Sequence, residues 1–140
     1  MKITAKAKYT LRLLTDLAEN SAGGYVPLKD VAERRGISKN YLEQIVFELK
    51  DTDWLDAARG TSGGYRLARP ANSYTVADIV AITDGGVKPE ECPEHGIEYC
   101  EKCRDDKSLK VWRGLDREIT EYLRSISLQD ILDDSEKLRC

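Results

Sequence analysis

At 140 residues with a net charge of −3 and 41% hydrophobic residues, the chain has the length of one domain, or one domain with an appended element. No apolar run approaches the ~18 residues of a membrane span, and the charged start Met1–Lys6 has no export-signal stretch behind it, so the expectation is a cytoplasmic protein with no membrane partner. Residues 1–69 carry 12 Lys and Arg against 9 Asp and Glu, whereas residues 70–140 carry 10 against 16, so the first half can still present a basic face to phosphates.

Thr4 to Asn20 predicts a helix, with Ala7, Leu11, Leu14 and Leu17/Ala18 at helical spacing and Gly23-Gly24 just beyond its end. Lys2, Lys6, Lys8 and Arg12 could line one side of it, as a solvated face or as phosphate contacts. A short helix over 28–35 turns Leu28, Val31 and Ala32 inward. Gly36 suits a left-handed turn position, Ile37 plugs the core, and Ser38 can cap the next helix. That next helix, 39–50, buries Leu42, Ile45, Val46 and Leu49. Its other side presents Lys39, Asn40, Glu43 and Gln44, with Tyr41 beside them. Amides pair with adenine, carboxylates accept from cytosine, and lysine reaches guanine or phosphate. The pattern is a helix-turn-helix whose second helix reads double-stranded DNA.

Two short strands follow, 54–58 and 65–69, around the glycine-rich tip Arg59-Gly60-Thr61-Ser62-Gly63-Gly64. A hairpin directly after a recognition helix is a wing. Arg59 at its base can enter a narrow minor groove, with Gly60, Ser62 and Gly63 beside the DNA. No helix with Lys-Ser/Thr follows these glycines, which argues against a nucleotide-binding loop.

Thr75 or Ser73 caps a helix through Val76, Ile79, Val80 and Ile82 to Asp84, closed by Gly85-Gly86. Next come Cys92, His95, Cys100 and Cys103. In a chain with no export signal, thiolates this close are metal or cluster ligands more often than a disulfide framework. Asp105 or Ser108 then begins a long helix to about Ser125. Leu109, Trp112, Leu115, Ile119, Tyr122 and Ile126 form a narrow apolar seam suited to helix-on-helix packing, either as a homodimer interface or within the domain. A further helical turn or two over 127–132 and a polar tail ending at Cys140 complete the chain. The expected organisation is a winged helix-turn-helix over 1–84, a cysteine-bearing sensor loop over 85–105, and a dimerisation helix and tail over 106–140. The fold class is mainly α with a small β-hairpin.

These residues resemble the IscR/NsrR/RirA/CymR family of winged-helix regulators, often called Rrf-two. The resemblance runs from Met1 to about Leu132 and rests on 1–6, Tyr9 to Ala18, Ile37-Ser38 with 41–44, Arg59-Gly60 with 63–70, and Thr75 to Ile79. Trp112 and Ser127 to Ile131 add to it. It implies a homodimer on a roughly palindromic operator and, in many members, a cluster that tunes DNA binding. By the same resemblance Asn40, Glu43 and Gln44 sit on the recognition helix and Arg59 in the wing. The departures lie in the cysteine stretch. The spacing C-x7-C-x2-C is compressed, Arg104-Asp105-Asp106 stand where some relatives place a histidine, and Lys8 and Arg12 stand where others offer a carboxylate.

The donor set admits two occupants. With His95, the three cysteines give a C-x2-H-x4-C-x2-C set that fits tetrahedral zinc. Thiolates with one non-cysteine ligand also hold iron–sulfur clusters, and the family resemblance favours such a cluster, 2Fe-2S or 4Fe-4S, with His95, Asp105, Asp106, a small molecule or Cys140 as the fourth ligand. A metal-free regulator answering a metabolite or partner protein is the remaining alternative. An enzyme is not expected, since no nucleophile–histidine–carboxylate arrangement is present. The expected function is a transcriptional regulator, a repressor by preference, with DNA binding tuned at the cysteine loop.

Overall fold

A computed structural model describes residues 3–86 and 107–138. In chain order these form α1 (Ala5–Asn20), α2 (Leu28–Arg35), α3 (Lys39–Leu49), β1 (Leu55–Ala58), β2 (Gly64–Leu67), a 3-10 turn (Ala71–Ser73), α4 (Val76–Asp84), α5 (Leu109–Ser125) and α6 (Leu128–Leu132). The mainly helical architecture with one hairpin is the one expected from sequence.

Helix ends are set by local chemistry. The hydroxyls of Thr4, Ser38, Thr75 and Ser127 each accept a backbone N–H of the first turn that would otherwise lack a partner. At α4 and α6 the cap is reciprocal, since Asp78 and Asp130 accept from the cap residue's own amide. α2 ends at Gly36, whose φ of 62° is a left-handed conformation that costs glycine little.

α1 is the central element. Leu13, Leu14 and Leu17 are fully buried and join Val31, Leu42, Ile45, Leu49, Trp54, Tyr74, Ile79 and Leu128 in one core. Of these, Leu13 was not among the inward positions expected from sequence. The carboxylate of Asp16 is also fully buried on α1. It accepts from Arg34 Nη2 at 2.7 Å and Nε at 3.2 Å, and from Arg35 Nε at 2.8 Å, fastening the end of α2 to α1. Burial alone would raise this carboxyl's pKa, but the hydrogen bonds and charges of Arg34 and Arg35 hold it below its ordinary value.

The hairpin is antiparallel, with Leu55 opposite Leu67 and Ala58 opposite Gly64; it is shorter at its base than the strands expected from sequence and reaches one residue nearer the tip, at Gly64. Val26 joins it as a one-residue third strand, exchanging backbone hydrogen bonds of 2.8 and 2.9 Å with Tyr65. Tyr74 locks the hairpin base. Its hydroxyl donates to the Trp54 carbonyl at 2.6 Å and accepts from the Arg69 amide at 3.1 Å, and its ring meets Trp54 edge-on.

Ile126 and the residues just after it pack within the chain's own body. Ile126, expected at the end of the dimer seam, leaves the helix with φ −103° and ψ 118° and is buried in the chain's own core. Its carbonyl accepts from the Val76 amide, and the Leu128 amide donates to the Tyr74 carbonyl, so 126–128 lie against 74–76 as a short bridge. α6 packs on α1 and adds Leu128 to the core. Part of the segment assigned to dimerisation is therefore structural in the winged-helix body.

Two outcomes are expected. Leu128→Ala should cost about 2–5 kcal/mol, the usual range for such a core truncation, seen as a lower urea midpoint with Trp54 fluorescence and helical circular dichroism still lost together. Asp16→Asn should cost about 1–3 kcal/mol at neutral pH. Because the native carboxyl titrates below its unfolded value, its contribution is complete above about pH 4 and is lost as pH falls through the lowered native value. Acid titration of stability should therefore be flatter in the Asn variant than in the parent.

Candidate nucleic-acid interface

α3 buries Leu42, Ile45, Val46 and Leu49 and exposes Lys39, Asn40, Glu43 and Gln44. Asn40, Glu43, Gln44 and Phe47 stand at helical spacings of three, four and seven, so they share one face opposite the buried one. Lys39 and Glu43 form an ion pair across one turn at 3.3 Å. Such an exposed pair is worth little, so both groups can exchange this contact for a base edge or a phosphate.

Tyr41 is placed differently from its neighbours. It is half-buried and meets Tyr9 of α1 edge-on at 5.4 Å, with the Arg12 guanidinium 5.7 Å from the Tyr9 ring. Its ring therefore props α3 on α1 rather than standing free on the exposed face. Lys6 of α1 pairs with Glu48 at 3.0 Å, a second tie between these helices, while Lys8 and Arg12 remain exposed. Phe47, 64% exposed at the C-terminal end of this exposed face, was not singled out by sequence reasoning. Its spacing from Asn40 and Glu43 was the available signal.

The wing places Arg59, Gly60, Thr61 and Ser62 in solvent. No ion pair among the described residues engages Arg59. Gly63 is buried instead. A Cβ there would lie 2.3 Å from the Ala58 carbonyl oxygen, and one on Gly64 would lie 2.2 Å from that of Val26. Gly63 therefore shapes the tip rather than offering surface to DNA. Arg66 steadies the wing from the side, paired with Asp56 at 3.3 Å and lying over the Tyr25 ring.

Cys92, His95, Cys100, Cys103, Asp105, Asp106 and Cys140 lie outside the described residues. Among the described residues no group of three or more His, Cys, Asp or Glu could hold a metal ion, and no helix is long and apolar enough to cross a membrane. The cysteine stretch begins beyond Gly86, and α4 immediately before it is tied to the start of α1. The Thr4 amide and hydroxyl both donate to the Asp84 carboxylate, the amide at 2.9 Å. Burial opposes ionisation of Asp84, but these two bonds, one from Thr83 and the charge of Lys6 hold its pKa below the ordinary value.

α5 has no buried residue. Leu109, Leu115, Ile119 and Tyr122 are half-buried, Trp112 is 44% exposed, and Val111, absent from the expected seam, is 63% exposed. The helix rests on α4 around an open cavity of about 290 Å³ lined by Val80, Leu123, Asp78, Asp116 and Arg124 among others.

Residues 3–134 match the family model Rrf2, described as an iron-dependent transcriptional regulator. The chain belongs to the Rrf2 family. The HTH-type transcriptional regulator IscR of Xenorhabdus nematophila is 36% identical over 138 residues, 99% of this chain and 83% of that protein. IscR of Escherichia coli is 34% identical over 139 residues, 99% of this chain and 84% of the other. Among solved structures, CymR, the global cysteine regulator of B. subtilis, aligns with a TM-score of 0.80 and 28% identity over 97% of this chain and 99% of that one. T. potens IscR aligns with a TM-score of 0.75 and 32% identity over 100% and 92%. The chain is thus a DNA-binding transcriptional regulator with the winged-helix fold, related to regulators and not to enzymes.

Gly63→Ala should displace the 58–59 backbone, raising amide hydrogen exchange across 55–67 while leaving α1 and α2 protected. It should also weaken DNA binding without introducing or removing a charge.

Proposed function

We propose that this regulator is a cytoplasmic homodimer that represses from a roughly palindromic operator, with its affinity set by an iron–sulfur cluster on the cysteine stretch. The observation that carries the DNA-reading part is the face of α3. Asn40, Glu43 and Gln44 stand in solvent opposite four buried apolar residues, and Arg59 projects from the adjacent wing. Asn40 and Gln44 would pair with adenine, Glu43 with the cytosine amino group, and Arg59 would enter the minor groove. The exposed apolar side of α5 supports a second copy as its partner, through Leu109, Trp112, Leu115, Ile119 and Tyr122, joined by Val111.

Cys92, Cys100 and Cys103 would hold the cluster, with a fourth ligand from His95, Asp105 or Asp106. Three thiolates and one oxygen or nitrogen donor suit that group. When bound, it supplies sensitivity to iron supply or oxidation. The chain's own residues carry the consequence. The stretch begins just beyond Asp84, which holds Thr4 at the head of α1, and α1 supports α3 through Tyr9–Tyr41 and Lys6–Glu48. A change in the loop can thus bias the placement of two reading helices that must sit about 34 Å apart. Coupling of ~1–3 kcal/mol would alter operator affinity roughly 5- to 150-fold. The C-x2-H-x4-C-x2-C spacing supports a second reading in which His95 completes a zinc site.

An anaerobic absorption spectrum with iron, sulfide and zinc analysis tests the occupant. Visible bands with iron and sulfide are expected, and Cys100→Ser should remove them while the dimer persists. Zinc without sulfide would establish the second reading, and neither metal would refute both. Arg59→Ala should weaken operator binding about 10-fold and lower the slope of log affinity against log salt by about one if Arg59 neutralises a phosphate, with the metal content unchanged.

A further inference from the structure

We propose that Phe47 is a specificity-determining residue of the recognition helix, its ring packing against the C5-methyl group of a thymine in the major groove. The inference rests on the reading of α3 as the DNA-contacting helix. Phe47 is 64% exposed, the highest value among the exposed large hydrophobics of the described residues. It is not at the margin of the core. Leu42, Ile45, Val46 and Leu49 face inward, and Phe47 stands on the opposite side, seven residues from Asn40, four from Glu43 and three from Gln44. A helix laid in the groove with those three side chains against the bases carries Phe47 in with them. At 1.5 Å per residue it stands about 10 Å beyond Asn40 and about 6 Å beyond Glu43, a distance of one to two base pairs from the latter.

The ring has no hydrogen-bonding group. The one feature of a base edge in the major groove that such a surface complements is the thymine methyl. Lys50, the exposed residue that caps the C-terminus of α3 three positions after Phe47, holds its ammonium 3.9 Å from the ring centroid. This covers one face of the ring and brings a positive charge beside it, within reach of a flanking phosphate. Glu43 and Phe47 would then read neighbouring positions by opposite means, one accepting a hydrogen bond and the other excluding water.

The test uses the full chain, purified anaerobically and also after chelator treatment, so that both states are sampled. Selection from a random duplex pool gives an operator. Each thymine in it is then replaced singly by deoxyuridine, which removes only the methyl. For one thymine per half-site the parent should lose about fourfold in affinity, the value of one methyl group withdrawn from apolar contact. Phe47→Ala should bind the thymine operator more weakly and show no difference between thymine and deoxyuridine at that position alone. Circular dichroism and dimerisation of this surface variant should match the parent. Equal affinity for every deoxyuridine duplex, or full retention of the methyl effect in Phe47→Ala, overturns the assignment while leaving the regulator reading intact. A pool that yields no preferred sequence in either state overturns both.

Discussion

One buried carboxylate on α1 organises the DNA-reading half. Asp16 is shielded from water among Leu13, Leu14 and Leu17, and only the guanidinium groups of Arg34 and Arg35 make that position tolerable for a charge. The pairing fixes the end of α2, and with it the turn at Gly36 from which α3 departs. A neutral apolar residue at 16 could pack as well, but it would leave the angle of the α2–α3 corner to shape complementarity alone. Directional hydrogen bonds from two arginines hold that angle more tightly than dispersion does. The helix that presents Asp16 also carries Lys6 and Tyr9 behind its cap Thr4, so α1 meets α3 and α4 through its N-terminal half and α2 through its C-terminal half.

The body was legible in the sequence wherever local chemistry decides the outcome. Thr4, Ser38, Thr75, Ser127 and Gly36 fall at element ends because their side chains, or the lack of one, solve a local backbone problem. Tertiary encounters were not legible. Thr4 meets Asp84 across 80 positions, and Tyr74 meets the Trp54 carbonyl across 20. The apolar spacing of α5 continues through Ile126, but the backbone bends there, and periodicity carries no sign of a bend.

The exposed face of α3 and the wing divide in the same way. Asn40, Glu43 and Gln44 were evident because polar side chains opposite an apolar stripe announce a solvent face. Phe47 was assigned to neither side, because its aromatic character points to the core while its spacing places it among the polar residues. Gly63 was taken for surface because a glycine-rich tip suggests looseness. Its backbone is instead pressed against Ala58, and room for a side chain is what that position lacks. The cysteine spacing specified a donor set, since thiolates and one histidine are defined by composition, whereas the occupant depends on arrangement that spacing does not encode.

Ile126 and Leu128 pin one end of α5 into the body, while the other end follows the cysteine stretch. A 17-residue helix is about 25 Å long. Pivoting by ~5° about the pinned end carries the tip near Leu109 and Trp112 through about 2 Å. The helix is in effect a lever with its fulcrum in the core and its long arm toward Leu109. Small angular changes at the fulcrum become displacements of ångströms at the tip, so the position of the apolar residues there is set by how firmly 126–128 are held.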